Sequence, residues 1–117
     1  MIQQKAEDLG RQIGQSEEYK ALRRAQERLQ EARELEPQLK RLQEMAHRLD
    51  QTLDRGEAPS EEDRGAYEQL LGLIQADPIY QGLVAAQANF DKLMVRVNEQ
   101  ILDGMRKGAA SPIITLG

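Results

Sequence analysis

Apolar residues recur along this chain at steps of three and four, the spacing of one face of an α-helix. Ile2, Ala6, Leu9 and Ile13 form the first such stripe, and Gly14 marks its expected end. Ser16 follows as an N-cap, its hydroxyl placed to accept a bond from a first-turn N–H that has no partner inside the helix. Glu17 and Glu18 then stand where the helix dipole favours negative charge. Tyr19, Leu22, Ala25, Leu29 and Ala32 predict the buried face of a second helix, and Leu35, Leu39, Leu42, Ala46, Leu49 and Leu53 that of a third. The step from Ala32 to Leu35 is three where four would hold the phase, and Pro37 lies just beyond it. Proline has no N–H to donate and disfavours the helical region for the preceding Glu36. The pattern therefore predicts a break or sharp kink near residues 34–36, with Pro37 as the first residue of helix three. The alternative is an unbroken rod over residues 17–55, about 58 Å long.

Arg55-Gly56-Glu57-Ala58-Pro59 is the clearest loop, with Gly56 suited to the left-handed position after a helix C-terminus. Ser60 caps helix four, Asp63 takes the capping-box position, and Tyr67, Leu70, Leu71 and Ile74 form the buried face. Asp77 caps helix five and Pro78 occupies its first turn. The last stripe runs Ile79, Leu83, Ala86, Phe90, Leu93 or Met94, Val97, Ile101 and Met105. A helix over residues 78–107 would be about 45 Å long, the longest element and the expected spine for the others. After Gly108 the amphipathic pattern stops. The expectation is an all-α, elongated bundle of about five helices with a long C-terminal helix, formed by residues 1–108, and a flexible tail over 109–117. Glu7/Arg11, Glu36/Lys40, Glu44/Arg48 and Asp103/Lys107 are spaced to form ion pairs along the helices, each worth only about 0.2–0.5 kcal/mol.

Composition narrows the chemistry. In 117 residues there is no Cys, no Trp, one His, three Tyr and one Phe. A disulfide framework, a thiolate metal site, an iron–sulfur cluster and a cysteine nucleophile are all excluded within the chain. Stacking of bases on several aromatics is not expected either. The net charge is −4, unevenly spread: residues 15–56 hold nine charges of each sign, whereas residues 57–77 hold six negative and one positive. A dense, balanced first half suits solvated helix faces, and nothing resembles a basic nucleic-acid footprint over the whole chain. No apolar run approaches the length of a membrane span, and the polar N-terminus does not read as a signal peptide. The expected setting is the cytoplasm, with no membrane insertion.

The order of these features resembles the YlbF/YmcA-like (competence-regulator) family of small bacterial helical proteins, over about residues 2–107. The carriers are Leu9-Gly10 in the opening helix, the run Ser16-Glu17-Glu18-Tyr19-Lys20-Ala21-Leu22, Gly56-Glu57 with Glu61-Glu62, Asp77-Pro78, and a last helix running Ala85-Ala86-Gln87 to Leu93, Val97-Asn98 and Ile101. The resemblance implies a helical, often dimeric regulator without catalytic residues. Such proteins work with other regulatory proteins to modulate ribonuclease Y-dependent RNA processing, and so competence, biofilm formation and sporulation. Some members use cysteines to bind iron–sulfur clusters. This chain has none, and it looks more like the cysteine-free YheA-type branch.

Few side chains suggest a site. His47 on helix three lacks the second positioned group that acid–base chemistry needs, so a structural or solvent-facing role is expected. Its Glu44 neighbour makes one Glu-x-x-His pair where a two-metal bundle needs two. Glu57, Glu61, Glu62 and Asp63 read as a solvated helix start rather than a calcium loop. Lys20, Arg24 and Arg28, with Arg23 beside them, share one face of helix two and are the candidate contacts to RNA phosphates. Asn98 lies next to the helix-five stripe, either buried as a register-fixing polar group or partly exposed. Ile113, Ile114 and Leu116 are candidates for docking into a partner groove, or else a frayed end. No cofactor is expected. The leading expectation is a non-enzymatic regulator acting as a homodimer through helices three and five; the second is an RNA-binding module using the helix-two stripe.

Overall fold

The computed structural model describes the backbone of residues 1–116 and the side chains of residues 1–110. Five helices account for nearly all of it: α1 (Ile2–Gly14), α2 (Glu17–Glu31), α3 (Leu35–Asp54), α4 (Glu61–Gln75) and α5 (Pro78–Leu116). The protein is an all-α, elongated five-helix bundle with a long C-terminal helix, 72 × 38 × 20 Å in extent.

The helix ends follow from local chemistry. Ser16 joins α1 to α2: its Oγ donates to the Ile13 carbonyl at 2.6 Å and accepts from the Tyr19 N–H at 3.1 Å. One side chain thus serves an orphan carbonyl of one helix and an orphan N–H of the next. Ser60 Oγ accepts from the Asp63 N–H at 3.1 Å, and Asp77 Oδ1 accepts from the Ile79 N–H at 2.8 Å. Helix α3 ends in a Schellman motif. Gly56 adopts φ 77°, its N–H donates to the Leu53 carbonyl at 2.9 Å, and the Glu57 N–H donates to that of Thr52 at 3.1 Å. Only glycine takes this conformation without steric cost.

Two boundaries differ from the sequence expectation. The break between α2 and α3 falls at residues 32–34, where Ala32 turns extended, and not at 34–36. Pro37 is the third residue of α3 instead of its first. The first-turn N–H groups have no carbonyl to bond, so a proline there breaks no ladder bond. The ladder starts at Gln38, whose N–H reaches the Glu34 carbonyl at 3.4 Å. Helix α5 also runs past residue 107 to Leu116. Ala109 and Ala110 are the strongest helix formers and need no amphipathic pattern to extend it.

Four of the five helices pair two by two. Residues Glu17, Glu18 and Ala21 of α2 lie beside Asn89, Lys92 and Arg96 of α5, whereas Arg28 lies toward Pro78. The two helices therefore run antiparallel. Their contact holds Leu22, Ala25 and Ala86, all buried, with Leu83 and Phe90 packed around them. Tyr19 leans on Phe90 with ring centroids 5.6 Å apart and planes at 57°, a tilted geometry that the ring quadrupoles favour. Helices α3 and α4 form a second antiparallel hairpin: Thr52 lies near Asp63, and Arg41 near Leu70 and Leu73. So α3 packs on α4, not on α5 as a general spine. The hairpins meet where α2 and α4 end and α3 and α5 begin. Leu35 and Ile74, the two least exposed residues at 2% and 0%, sit at that junction.

The stripes are covered less completely than their spacing suggests. Leu9 and Ile13 are half-buried, but Ile2 and Ala6 are exposed. Leu53, Ile101 and Met105, expected in buried stripes, are exposed as well. For Ile101 and Met105 the physical reason is length. At about 1.5 Å per residue, α2 covers roughly 22 Å of an α5 that is roughly 58 Å long. Of the four predicted ion pairs, Glu7–Arg11 at 2.8 Å and Asp103–Lys107 at 3.0 Å are made. Among the described residues, Glu36/Lys40 and Glu44/Arg48 are not closed.

Replacing Ile74 with Ala opens a cavity at the junction of both hairpins and should lower stability by about 2–4 kcal/mol. Gly56→Ala forces a Cβ into the left-handed region and should cost about 1 kcal/mol. Urea unfolding followed by circular dichroism measures both. An Ile74→Ala loss no larger than that of Gly56→Ala would contradict the junction's role.

Candidate interaction surfaces

Lys20, Arg23, Arg24 and Arg28 are all exposed on α2. Among the described residues none of the four makes an ion pair. Among the described residues, Glu18 with Arg96 at 3.7 Å links α2 to α5 through charge. Arg24 and Arg28 border a shallow cleft whose floor is Ala21 and Ala25 of α2 and Pro78, Ile79, Gly82 and Ala86 of α5. Small residues on both helices keep this floor flat and leave the two guanidinium groups free at its edge. Arg23 and Lys20 do not line the cleft. The structure thus splits the sequence-defined stripe into a cleft pair and two outlying cations.

The remaining candidates stand apart. His47 is exposed on α3, and Glu57, Glu61, Glu62 and Asp63 are exposed at the start of α4. Among the described residues, no group of three or more His, Asp or Glu side chains is arranged to hold a metal ion. Met45, Arg48, Leu49 and Thr52 of α3, with Asp63 of α4, line a small crevice. Thr52 is occupied there, its hydroxyl donating to the Arg48 carbonyl at 2.9 Å. Asn98 is exposed in the single chain, so no contact within this fold buries it. The side chains of Ile113, Ile114 and Leu116 lie outside the described residues. Among those described, no helix is long and apolar enough to cross a membrane.

The surface that sequence reasoning missed is apolar. Val84, Val95 and Leu102 are exposed on α5 at 49%, 56% and 50%, and Met105, placed by its spacing in the buried stripe, joins them at 62%. A second opening lies between α1 and α5, lined by Leu9, Val97 and Ile101 with the stems of Arg96 and Gln100. Scattered exposed apolar residues are ordinary on a small protein, but repeated ones on a single helix face are not. The signal was present in the sequence: the step from Val95 to Leu102 is seven residues.

The sequence profile of one family, described as control of competence regulator ComK, YlbF/YmcA, matches residues 2–106. No curated protein and no solved structure matches the chain.

Because Lys20, Arg23, Arg24 and Arg28 are exposed and unpaired, changing all four to Gln should leave the fold intact. The expected cost is within about 0.5 kcal/mol per substitution, read from thermal unfolding. A loss several times larger would mean that these cations support the fold and are not free for a partner.

Proposed function

The chain belongs to the YlbF/YmcA family, and we propose that it is a cytoplasmic regulator that acts by binding proteins, itself a homodimer, with no catalysis of its own. The observation that carries this reading is surface area. The chain exposes 9519 Å². A compact monomer of 13.3 kDa exposes about 6,450 Å². The excess of about 3,000 Å² matches or exceeds what one chain contributes to a permanent protein–protein interface. The exposed apolar side chains include Ile2 of α1, Leu73 of α4 and Val84, Val95, Ile101, Leu102 and Met105 of α5. Catalysis asks for the opposite design, an enclosed cleft where titratable groups converge.

Within the family, the chain fits a cysteine-free, YheA-type branch, because it offers no thiolate to a cluster. The process it serves, on this reading, is ribonuclease Y-dependent RNA processing, and through it competence, biofilm formation and sporulation. Family membership alone supports that link. The half-lives of ribonuclease Y-dependent transcripts should shift when the gene is deleted, and unchanged half-lives would sink this part of the reading.

One observation favours a second reading, an RNA-binding module. Four unpaired cations on one helix are free to meet phosphates. Against it, the only described aromatic pair, Tyr19 with Phe90, is packed between helices and offers no face for stacking a base. The quadruple Gln variant should then lose RNA affinity and flatten its salt dependence; no detectable binding by the unchanged protein at low salt ends this reading.

Sedimentation equilibrium tests the leading reading directly. A dimer of about twice 13.3 kDa is expected at tens of micromolar, and a strict monomer there overturns the homodimer.

A further inference from the structure

Helix α5 carries two apolar faces. One holds Ala86 and Phe90 against α2. The other holds Val84, Ala88, Val95, Asn98, Leu102 and Met105, at successive steps of four, seven, three, four and three. At about 100° per residue these six share a sector roughly 100° wide, centred roughly 130° around the helix from the first face. All six are exposed. Their period is seven, the repeat that keeps one seam facing a partner helix of the same pitch.

We propose that this outer face is where two copies of the chain meet, packing α5 against α5 antiparallel, with Val95 opposite the partner's Asn98. The proposal rests on the homodimer reading above and adds to it the surface, the direction and the register.

Direction follows from charge. The positions that flank the seam on one side are Lys92, Glu99 and Arg106; on the other they are Gln87, Met94 and Ile101. In a parallel pair, each charged flank would face the uncharged flank of its neighbour and no ion pair would form. In an antiparallel pair like flanks face each other. Lys92 then meets the partner's Glu99, and by the two-fold axis Glu99 meets the partner's Lys92. Asp91 gives the same answer. It lies within the seam, its Oδ1 accepting from Gln87 Nε2 at 2.9 Å. A parallel pair would set the two Asp91 carboxylates face to face, whereas the antiparallel register holds them about 16 Å apart. Asn98 fixes that register. Its amide and that of the partner's Asn98 flank the two-fold axis about 4–5 Å apart along the helix. There they bond each other, and a shift by one heptad would strand both among apolar groups.

A cysteine-free chain makes the test direct, since any engineered thiol is unique. Single variants Val95→Cys and Val84→Cys are treated with a short bis-maleimide, with helicity checked by circular dichroism. The antiparallel register puts the two thiols of Val95→Cys close to the axis and those of Val84→Cys about 37 Å apart. Cross-linking of Val95→Cys alone is expected. Cross-linking of both variants would mean a parallel pair and overturns the proposal. In parallel, Leu102→Glu sets a second carboxylate against the partner's Asp91, which this register places opposite residue 102, and should weaken self-association at least about 100-fold at unchanged helicity. If the unchanged protein sediments as a dimer but neither cysteine cross-links and Leu102→Glu is without effect, this seam is wrong and the homodimer stands. If the unchanged protein is a monomer, the homodimer reading falls, and the seam with it.

Discussion

Two helices lying side by side can bury only the facing sector of each, and this chain is built from such pairs. The consequence is quantitative. A compact chain of 117 residues has a radius of gyration near 13 Å. This one has 21.7 Å. Few side chains are buried on such a frame: Leu22, Ala25, Leu35, Ile74 and Ala86. Three of them hold α2 to α5, and two sit where the hairpins meet. The second pair lies beside the short links at residues 32–34 and 76–77, Leu35 opening α3 and Ile74 one residue before the end of α4.

A frame with so little core depends on its helix ends. Each cap removes an orphan donor or acceptor that a larger protein would satisfy by packing. Ser16 does so twice, for α1 and for α2. The exposed pairs Glu7–Arg11 and Asp103–Lys107 add only tenths of a kilocalorie each. The acidic cluster at the start of α4 fits the same logic. Three carboxylates in the first turn answer the dipole.

The helices, their caps and the order in which they follow one another were legible because each rests on neighbours within a few residues. Ser16, Gly56, Ser60 and Asp77 act as their residue types predict. Pro37 was misread by two positions, since a proline is as harmless third in a helix as first. The pairing of helices was not legible. An apolar stripe states that a face seeks cover without naming what covers it, so Ile101 and Met105 read as core like Ala86. They are exposed because α2 ends its coverage of α5 earlier along the spine. The outer face of α5 was missed for a related reason. Its stripe is broken by Asp91, and Asn98 reads only as a neighbour of the other stripe.

A helix that is apolar on two faces has a use for both. The first face of α5 is consumed by the chain's own fold, through Leu22 and Ala25. If the second is covered by another copy, the surfaces left open are the cationic edge of the α2–α5 cleft and the α3–α4 hairpin. These differ in chemistry. The cleft offers Arg24 and Arg28 over an alanine and glycine floor, which suits a helix carrying carboxylates that can approach closely and pair with both guanidinium groups. The hairpin offers Leu73, 62% exposed, on a largely uncharged stretch of α4. Dimerisation through α5 would present each of these surfaces twice. A ligand with two matching sites then gains avidity from the second contact without any new kind of interaction. That doubling is the physical means by which a thin helical dimer would act on a larger partner.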